Sequence, residues 1–412
     1  MSSAHATSVT LDRQLTVTHS AMDKPLGSSS VEASTLVGLR PAPVQVEVCC
    51  SRGPAFFQMV GLAQTPVREA RVRVSSALAR MGVLLNEYAI TVNLAPADVR
   101  KSDASLDLAI AIAILTATGH VPEGALAGSL VFGELSLDGQ TQPVRGILPQ
   151  LCGAKERGLK TAIVPARNAK EAGLVDGLEI YGVAHLEELV LHLRGQSRLP
   201  RAPRTEFQPK PTHLGMDMRD VRGQGRARRA LEVAAAGNHN LLLIGPPGTG
   251  KTMLARRLPG ILPPLTYGEA LEATAIHSVS GLIRPDEGIL LQRPFRAPHH
   301  SITEQALIGG GENPRPGEVS LAHTGVLFLD ELAEFRRGVL ESLRQPLEDG
   351  KVSIARARAH ADFPARPLLV GAMNPCPCGF LGHPARHCRC TAHQIHRYGS
   401  KLSGPLLDRL DV

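Results

Sequence analysis

The fold of this chain is decided by one stretch near its middle, Leu241-Leu242-Leu243-Ile244-Gly245-Pro246-Pro247-Gly248-Thr249-Gly250-Lys251-Thr252. The four apolar residues that open it predict a buried strand, and residues 253–258 predict a helix directly after it. A glycine-rich loop between a strand and a helix, ending in Lys-Thr, is typical of a phosphate-binding loop. Glycines let backbone N–H groups surround phosphates, Lys251 reaches the terminal phosphates, and the Thr252 hydroxyl is a Mg²⁺ ligand. The sequence therefore predicts an ATP and Mg²⁺ site formed by Gly245, Pro246, Pro247, Gly248, Thr249, Gly250, Lys251 and Thr252.

Two later apolar strands are predicted to end beside this loop. Residues 325–329 lead into Asp330 and Glu331, about 80 residues after the loop. Phosphoryl transfer needs charge neutralisation and an oriented nucleophile, so we expect Asp330 to hold Mg²⁺ and Glu331 to polarise the attacking water. Residues 367–373 end at Asn374, which is placed to sense the γ-phosphate. By itself a strand-end asparagine is more often a turn former.

The remaining pattern predicts two α/β domains. Residues 33–193 alternate strands with helices, and in the helix predicted at residues 66–81 apolar side chains recur every three or four positions. Residues 194–213 contain four prolines and are predicted to be a linker without helix or strand. Residues 214–412 then form the ATPase core. Residues 1–32 lack the apolar segment of a secretory signal and are predicted to be a disordered extension.

Composition narrows the class of protein. The chain has 412 residues, 43% of them hydrophobic and 20% charged, which excludes a mini-protein held together by disulfides. The net charge of +7 is weak evidence for a polyanionic partner, although ten basic and three acidic residues lie between positions 191 and 230. The apolar run at residues 108–115 is too short to cross a membrane. We expect a cytoplasmic protein without membrane contact.

Four of the seven cysteines form two closely spaced pairs late in the chain, Cys376 with Cys378 and Cys388 with Cys390. Four thiolates can close a tetrahedral, structural Zn²⁺ site. The spacer within each pair is shorter than is usual for zinc, so four unmetallated thiols in a reducing cytosol are the alternative. His383 and His387 lie between the pairs and could substitute for a cysteine.

A set of motifs around these segments carries a family resemblance. They are Gly223-Gln224, Ala234-Ala235-Ala236-Gly237-Asn238-His239-Asn240, Arg293-Pro294-Phe295-Arg296-Ala297-Pro298-His299-His300, Gly309-Gly310-Gly311, Pro314-Arg315-Pro316-Gly317-Glu318, Arg344-Gln345-Pro346-Leu347-Glu348-Asp349-Gly350 and Asn374-Pro375-Cys376-Pro377-Cys378-Gly379. Together they resemble the YifB/ComM family of magnesium-chelatase-like AAA+ ATPases. The resemblance extends from about residue 33 to residue 412.

The resemblance implies a hexameric ring ATPase of the helix-2-insert branch that acts on single-stranded or branched DNA. For ComM members it implies helicase-type branch migration during natural transformation. It also implies that Arg409 is an arginine finger acting on a neighbouring subunit's nucleotide. The alternative is that Arg409 pairs locally with Asp408 or Asp411.

The resemblance further places a hairpin at residues 351–366 that projects into the pore of related ring motors. Lys351, Arg356, Arg358 and His360 would there present cationic groups to a phosphate backbone, a contact that does not depend on base sequence. The alternative is an exposed hairpin whose charges only keep it soluble.

The N-terminal domain resembles the Lon-protease-like fold. Ser105 stands at the nucleophile position of Lon-type peptidases, but Leu148 stands where their catalytic lysine is expected. A serine nucleophile needs an adjacent base, and the guanidinium of Arg145 does not lose its proton. We therefore predict no peptidase activity and expect Ser105 to cap the helix that begins near Leu106.

The resulting fold class is α/β: a Lon-protease-like α/β domain followed by an AAA+ P-loop NTPase α/β/α core that lacks most of the C-terminal helical lid. Two other functions stay open. One is an ATP-dependent protein or metal-insertion remodelling factor of the magnesium-chelatase type. The other is a remnant that binds nucleotide without productive turnover, because the family continues past Arg409 with the rest of its last strand and a lid.

Overall fold

A computed structural model of the protein describes residues 25–101, 104–209, 216–284, 288–356 and 359–412. Its N-terminal half is built on one seven-stranded sheet in the order β3-β4-β2-β1-β5-β8-β9, with a separate β6-β7 pair. The strands are β1 (Pro25–Val37), β2 (Arg40–Arg52), β3 (Phe56–Val60), β4 (Tyr88–Ala95), β5 (Ser129–Val131), β6 (Glu134–Leu135), β7 (Thr141–Gln142), β8 (Thr161–Pro165) and β9 (Glu179–Val183). The helices are α1 (Thr65–Arg80), α2 (Asp107–Ala117), α3 (Ile147–Glu156), α4 (Ala169–Ala172) and α5 (Leu186–Leu193).

Helices α1 and α2 cover this sheet in different ways. In α1 the buried side chains are Val67, Ala70, Val74, Ala77 and Leu78, which confirms the predicted amphipathic pattern. Helix α2 is apolar around its whole circumference, and residues 108–115 are fully buried. A helix that is hydrophobic on all sides has to lie inside the core.

The one charged side chain of α2, that of Asp107, is paired with an arginine. Asp107 is completely buried, and its carboxylate accepts a hydrogen bond of 2.5 Å from Nε of Arg73 on α1. Burial nevertheless raises the pKa of Asp107 to about 6, against the opposing effect of Arg73. A buried carboxylate without such a partner would be strongly destabilising, so this pair fixes how α1 lies against α2.

The structure corrects two expectations for the N-terminal half. Strand β1 begins at Pro25 and pairs with β2, so residues 25–32 are part of the sheet and not of an extension; residues 1–24 lie outside the described residues. Ser105 does not cap α2. It lies within a 3₁₀ turn (Ala104–Leu106), and the capping position of α2 is Leu106, without a side-chain cap.

The C-terminal half is built on a four-stranded parallel sheet in the order β10-β17-β14-β11. Its strands and hairpins are β10 (Leu241–Ile244), β11 (Phe295–Arg296), β12 (Gly309–Gly310), β13 (Arg315–Pro316), β14 (Val326–Leu329), β15 (Lys351–Arg356), β16 (Ala359–Pro364) and β17 (Leu368–Met373). The helices are α6 (Gly225–Gly237), α7 (Lys251–Arg257), α8 (Tyr267–Val279), α9 (Glu304–Ile308), α10 (Glu318–Leu321), α11 (Arg337–Glu341), α12 (Arg344–Asp349), α13 (Ala392–Gly399) and α14 (Gly404–Leu407).

The proline-rich segment between the two halves is held against the N-terminal sheet. Residues 202–209 contain no helix or strand, and the backbone of Arg201 pairs with Tyr181 in an isolated bridge. The backbone N–H of Ala202 donates to Ile180 on β9, and that of Thr205 donates to Gly173. Residues 210–213 of the predicted linker, with residues 214 and 215 after it, lie outside the described residues, and the division into domains at this segment stays a proposal.

Helix α8 joins the two halves through apolar packing and one buried polar contact. Ala270 of α8 belongs to the same buried cluster as side chains of α3. Leu265, just before α8, and Ile289, after it, belong to this cluster too. At the centre of the contact, the Glu171 carboxylate accepts hydrogen bonds from the Ser278 hydroxyl and from the backbone N–H of Leu148. Burial raises the pKa of Glu171 to about 7. The two halves are thus joined around a carboxyl group whose pKa is raised by burial.

In the described part of the chain, none of the helices combines the length and the apolar character that crossing a bilayer requires.

The Glu171 contact predicts a pH-dependent stability. Because the pKa is raised from 4.5 to about 7, the stabilisation is fully present below pH 4.5 and is lost as the pH rises through 7. The full difference is about 3 kcal/mol, of which about 1 kcal/mol falls between pH 6 and pH 8. Glu171→Gln keeps the acceptor oxygen without the charge and should remove this part of the pH dependence in urea unfolding. The exposed Glu187→Gln is the control, and an equal pH dependence in both variants would contradict the prediction.

Candidate nucleotide-binding site

The phosphate loop has the backbone conformation that its glycines predict. It connects β10 to α7, and α7 begins at Lys251, two residues earlier than predicted. Gly248 and Gly250 have φ angles of +79° and +86°, a left-handed region in which a β-carbon is strained. Within the loop the Thr249 hydroxyl donates to the carbonyl of Pro246 at 2.8 Å. The loop is therefore closed on itself by its own residues.

Parallel strand pairing brings the other predicted residues to this loop. Ile244 at the end of β10 lies opposite Met373 at the end of β17, and Leu329 at the end of β14 lies opposite Gly371. The residues that follow these strands consequently share one edge of the sheet. They surround a cavity of about 420 Å³ lined by Pro247, Gly248, Gly250, Lys251, Thr252, Met253, Asp330, Glu331, Met373 and Asn374. We call this cavity the nucleotide site.

Lys251 is the positive group of the nucleotide site. Its ammonium donates to the carbonyls of Gly245 and Pro246 at 2.7 and 3.0 Å and to Oδ1 of Asn374 at 3.2 Å. Burial lowers the pKa of Lys251, while the nearby charge of Asp330 acts in the opposite direction. Lys251 and Asn374 are thus in direct contact although 123 positions separate them in the sequence.

The donor set for Mg²⁺ is assembled beside this lysine. The Thr252 hydroxyl donates to Oδ2 of Asp330 at 2.7 Å. Hydroxyl and carboxylate oxygens are ligands that Mg²⁺ accepts, usually together with phosphate oxygens and water. The residues present therefore fit a magnesium ion bound with a nucleotide.

Glu331 is held by a residue to which the sequence analysis assigned no role. Its φ angle is +51°, and Oε2 lies 3.3 Å from Nδ1 of His300. More than half of the Glu331 side chain is exposed, so it faces open solvent at the rim of the site. His300 belongs to the motif at residues 293–300, and that motif was the only sequence signal that could have pointed to it. His300 is a positioning residue for Glu331.

Arg409 is not brought to the nucleotide site of its own chain. Its guanidinium is ion-paired with Glu348 on α12, not with Asp408 or Asp411. Its carbonyl accepts a hydrogen bond of 2.8 Å from the Asn240 side chain, next to the start of β10. The alternative of a local pair with Asp408 or Asp411 is therefore wrong, and the guanidinium is about half exposed on the surface.

The segment at residues 351–364 forms the predicted hairpin from β15 and β16. Val352, Ile354, Ala361 and Phe363 are buried in the core, so one face of the hairpin packs against the body of the protein. Lys351 is half exposed and lies 3.9 Å from Asp362, which also lies 3.4 Å from His360. Only the backbone of Arg356 is described, and Arg358 lies outside the described residues.

The four late cysteines converge into one cluster, which we call the cysteine cluster. The Sγ atom of Cys376 lies 3.4 Å from that of Cys378 and 3.6 Å from that of Cys388, and the Cys378 and Cys388 sulfurs are also 3.6 Å apart. With Cys390 included, all four sulfurs lie within 4.8 Å of one another. Among the described residues, neither His383 nor His387 belongs to this cluster, so a histidine does not substitute for a cysteine.

The arrangement around Lys251 predicts the effect of removing its ammonium. Lys251→Ala should weaken binding of a fluorescent ATP analogue in the presence of Mg²⁺ at least about tenfold, because a hydrogen bond to a charged group is lost. Lys155→Ala, which changes an exposed lysine on α3, is the matched control and should bind as the unchanged protein does. Equal affinities in the two variants would show that the nucleotide does not bind at this loop.

Comparison with known proteins agrees with this geometry. The family model described as magnesium chelatase, subunit ChlI, matches residues 217–412, and a model described as subunit ChlI of Mg-chelatase matches residues 46–168. YifB of Escherichia coli is 45% identical over 389 residues, 93% of this chain and 75% of YifB. The competence protein ComM of Haemophilus influenzae is 46% identical over 381 residues, 91% of this chain and 74% of ComM.

The chain also has a more distant likeness to a Lon protease. Lon protease 2 of Bacillus subtilis is 30% identical over 151 residues, which is 36% of this chain and 25% of that protein. The α/β fold class is confirmed, with Lon-like and P-loop components. The chain belongs to the YifB/ComM family of magnesium-chelatase-like AAA+ ATPases.

Proposed function

We propose that this protein binds ATP with Mg²⁺ and hydrolyses it to drive movement along DNA. The single observation that carries the proposal is the convergence of Lys251, the Thr252–Asp330 pair, Glu331 and Asn374 on one cavity. Each group matches one requirement of phosphoryl transfer: neutralisation of charge, a metal site, and an oriented water.

Each residue has a separate task in this mechanism. Lys251 contacts the terminal phosphates, and Asn374, already bonded to Lys251, contacts the γ-phosphate. Thr252 and Asp330 hold Mg²⁺, which neutralises developing negative charge when bound. Glu331 accepts a hydrogen bond from the attacking water and polarises it, while His300 limits where the Glu331 carboxylate can lie.

We further propose that the protein works as a hexamer in which Arg409 reaches the nucleotide of a neighbouring subunit. The support is its position: the guanidinium is half exposed, outside its own nucleotide site, and paired with a surface carboxylate on Glu348. An arginine supplied by a neighbour can stabilise the charge that develops during phosphoryl transfer. Binding at a subunit interface would exchange the Glu348 partner for phosphate oxygens.

We propose that the substrate is single-stranded or branched DNA and that the protein acts in the cytoplasm. The proposed process is branch migration during natural transformation. The relative ComM is named a competence protein, and the net charge of +7 suits a polyanion. The hairpin of β15 and β16 is the proposed contact, through Lys351, Arg356 and Arg358. Its buried face anchors it to the core that also holds β14 and β17, so movement at the nucleotide site would be transmitted to it.

The cysteine cluster is proposed to hold a structural Zn²⁺ ion. A tetrahedral site with Zn–S bonds of about 2.3 Å separates its sulfurs by about 3.8 Å, close to the spacing found, whereas a disulfide needs about 2 Å. Backbone N–H groups of Cys378 and Cys390 donate to the sulfurs of Cys390 and Cys388, both at 3.4 Å. Such hydrogen bonds stabilise thiolates in the shell around a metal. With four protein ligands, no position is open for catalysis.

The ATPase proposal is tested by turnover with and without forked or four-way DNA. We expect DNA to stimulate turnover and Glu331→Gln to lower it at least about 100-fold while ATP still binds, because only the oriented water is lost. Lys351→Ala should keep the basal rate and lose part of the stimulation, whereas the control Lys155→Ala should keep both. Nucleotide binding without any turnover would contradict the proposed motor and favour a remnant that only binds nucleotide. Turnover stimulated only by a protein partner would favour a remodelling factor.

The zinc proposal is tested by the metal content of the purified chain. We expect about one zinc per chain in the unchanged protein and a large loss in Cys388→Ser, because three sulfurs leave the tetrahedral site incomplete. Cys152→Ser, which removes a thiol in the N-terminal half, should keep the metal. Negligible zinc in all three proteins would refute the site.

A further inference from the structure

The cysteine cluster is continuous in sequence with the predicted γ-phosphate sensor. Strand β17 ends at Met373, Asn374 follows, and Cys376 is two residues further along the chain. Cys376 is fully buried, so its sulfur is packed inside the protein although the residue lies in the loop after β17. A bond to this sulfur therefore acts on backbone that is only two residues from the amide contacting Lys251.

The second cysteine pair of the cluster, Cys388 and Cys390, leads into a helix whose far end lies beside Asn374. Helix α13 begins directly after Cys390, with Thr391 as its side-chain cap. Tyr398 near the end of this helix is buried; burial raises the pKa of its hydroxyl, and the backbone of Asn374 lies close enough to oppose that shift. A metal that joins Cys376 and Cys378 to Cys388 and Cys390 thus fixes both supports of Asn374 to each other.

The loop between the cysteine pairs also touches the phosphate loop. Gly379 has a φ angle of +81°, and a β-carbon built on it would lie 2.7 Å from Cδ of Pro247. Its backbone N–H donates to the carbonyl of Cys376 at 2.9 Å, which closes a turn between two ligands of the cluster. Only a residue without a side chain allows this approach, so the turn lies directly against the phosphate loop.

We propose that zinc bound by the cysteine cluster holds Asn374 and Pro247 in their nucleotide-binding positions, so that zinc and ATP bind cooperatively. The inference rests on the proposed zinc site and the proposed nucleotide site. Part of the free energy of zinc binding goes into ordering the segments that carry Asn374 and Pro247, and ATP binding orders the same two segments. When one ligand has already ordered these segments, the other loses less conformational entropy on binding and therefore binds more tightly. Zinc raises the affinity for ATP by the same factor by which ATP raises the affinity for zinc.

The first experiment compares nucleotide affinity at defined zinc occupancy. With a fluorescent ATP analogue and Mg²⁺, Cys388→Ser should bind about tenfold more weakly than the unchanged protein, a coupling in the usual range. Cys152→Ser should bind as the unchanged protein does. The comparison is made below the unfolding temperature of each variant, as measured by circular dichroism.

The second experiment needs no substitution in the cluster and therefore does not depend on how Cys388→Ser folds. Zinc affinity of the unchanged protein is measured by competition with a chromogenic chelator, with and without a non-hydrolysable ATP analogue and excess Mg²⁺. The analogue should raise zinc affinity by the same factor, about tenfold. Lys251→Ala should retain zinc and show a smaller rise at an analogue concentration that just saturates the unchanged protein, because this variant binds the nucleotide more weakly.

The outcomes test the coupling separately from the proposed zinc site and the proposed ATPase activity. Absence of zinc from the unchanged protein refutes the metal site, and absence of nucleotide binding refutes the ATPase proposal. If both ligands bind but neither affinity depends on the other, the coupling is wrong while both sites stand.

Discussion

The parallel pairing of β10, β17 and β14 is the constraint on which the rest of the structure depends. Since parallel strands point the same way, their carboxyl ends meet at one edge, and the residues that follow them are brought within hydrogen-bonding reach. Lys251 contacts Asn374 and Thr252 contacts Asp330 only because β17 lies between the other two strands. A different strand order would leave the same motifs intact and the nucleotide site unassembled.

Two attachments lie outside the sheet, and one of them lies at the edge that carries the nucleotide site. Helix α8 carries the buried contact with Glu171 and shares an apolar cluster with α3, so the N-terminal half is attached to the ATPase core by a specific interface. On the other side, the cysteine cluster and α13 lie against Asn374 and the phosphate loop. The cysteine cluster lies close to the nucleotide site, whereas α8 lies beside the start of β14, where its Glu272 pairs with His323.

Local patterns were sufficient for α1 and for the strands that carry the nucleotide site. The spacing of apolar residues predicted α1 within one residue at each end, and the apolar runs predicted β10, β14 and β17. These signals depend on a side-chain period of 3.6 or 2 and on glycine and proline, all of which are encoded by neighbouring residues. The same reasoning missed the start of β1 at Pro25, because its serines and threonines look polar and the partner strand β2 is needed to pair them.

The sequence by itself predicted the residues of the nucleotide site and the positions along the chain of the strands that carry them, and it indicated the family to which the chain belongs. Only the tertiary structure decided which residues meet: His300 with Glu331, Arg409 with Glu348, Ser278 with Glu171, and the four cysteines with one another. The physical reason is that these contacts join segments far apart in the chain. Their geometry is fixed by strand register and helix packing, which no local pattern of residues specifies.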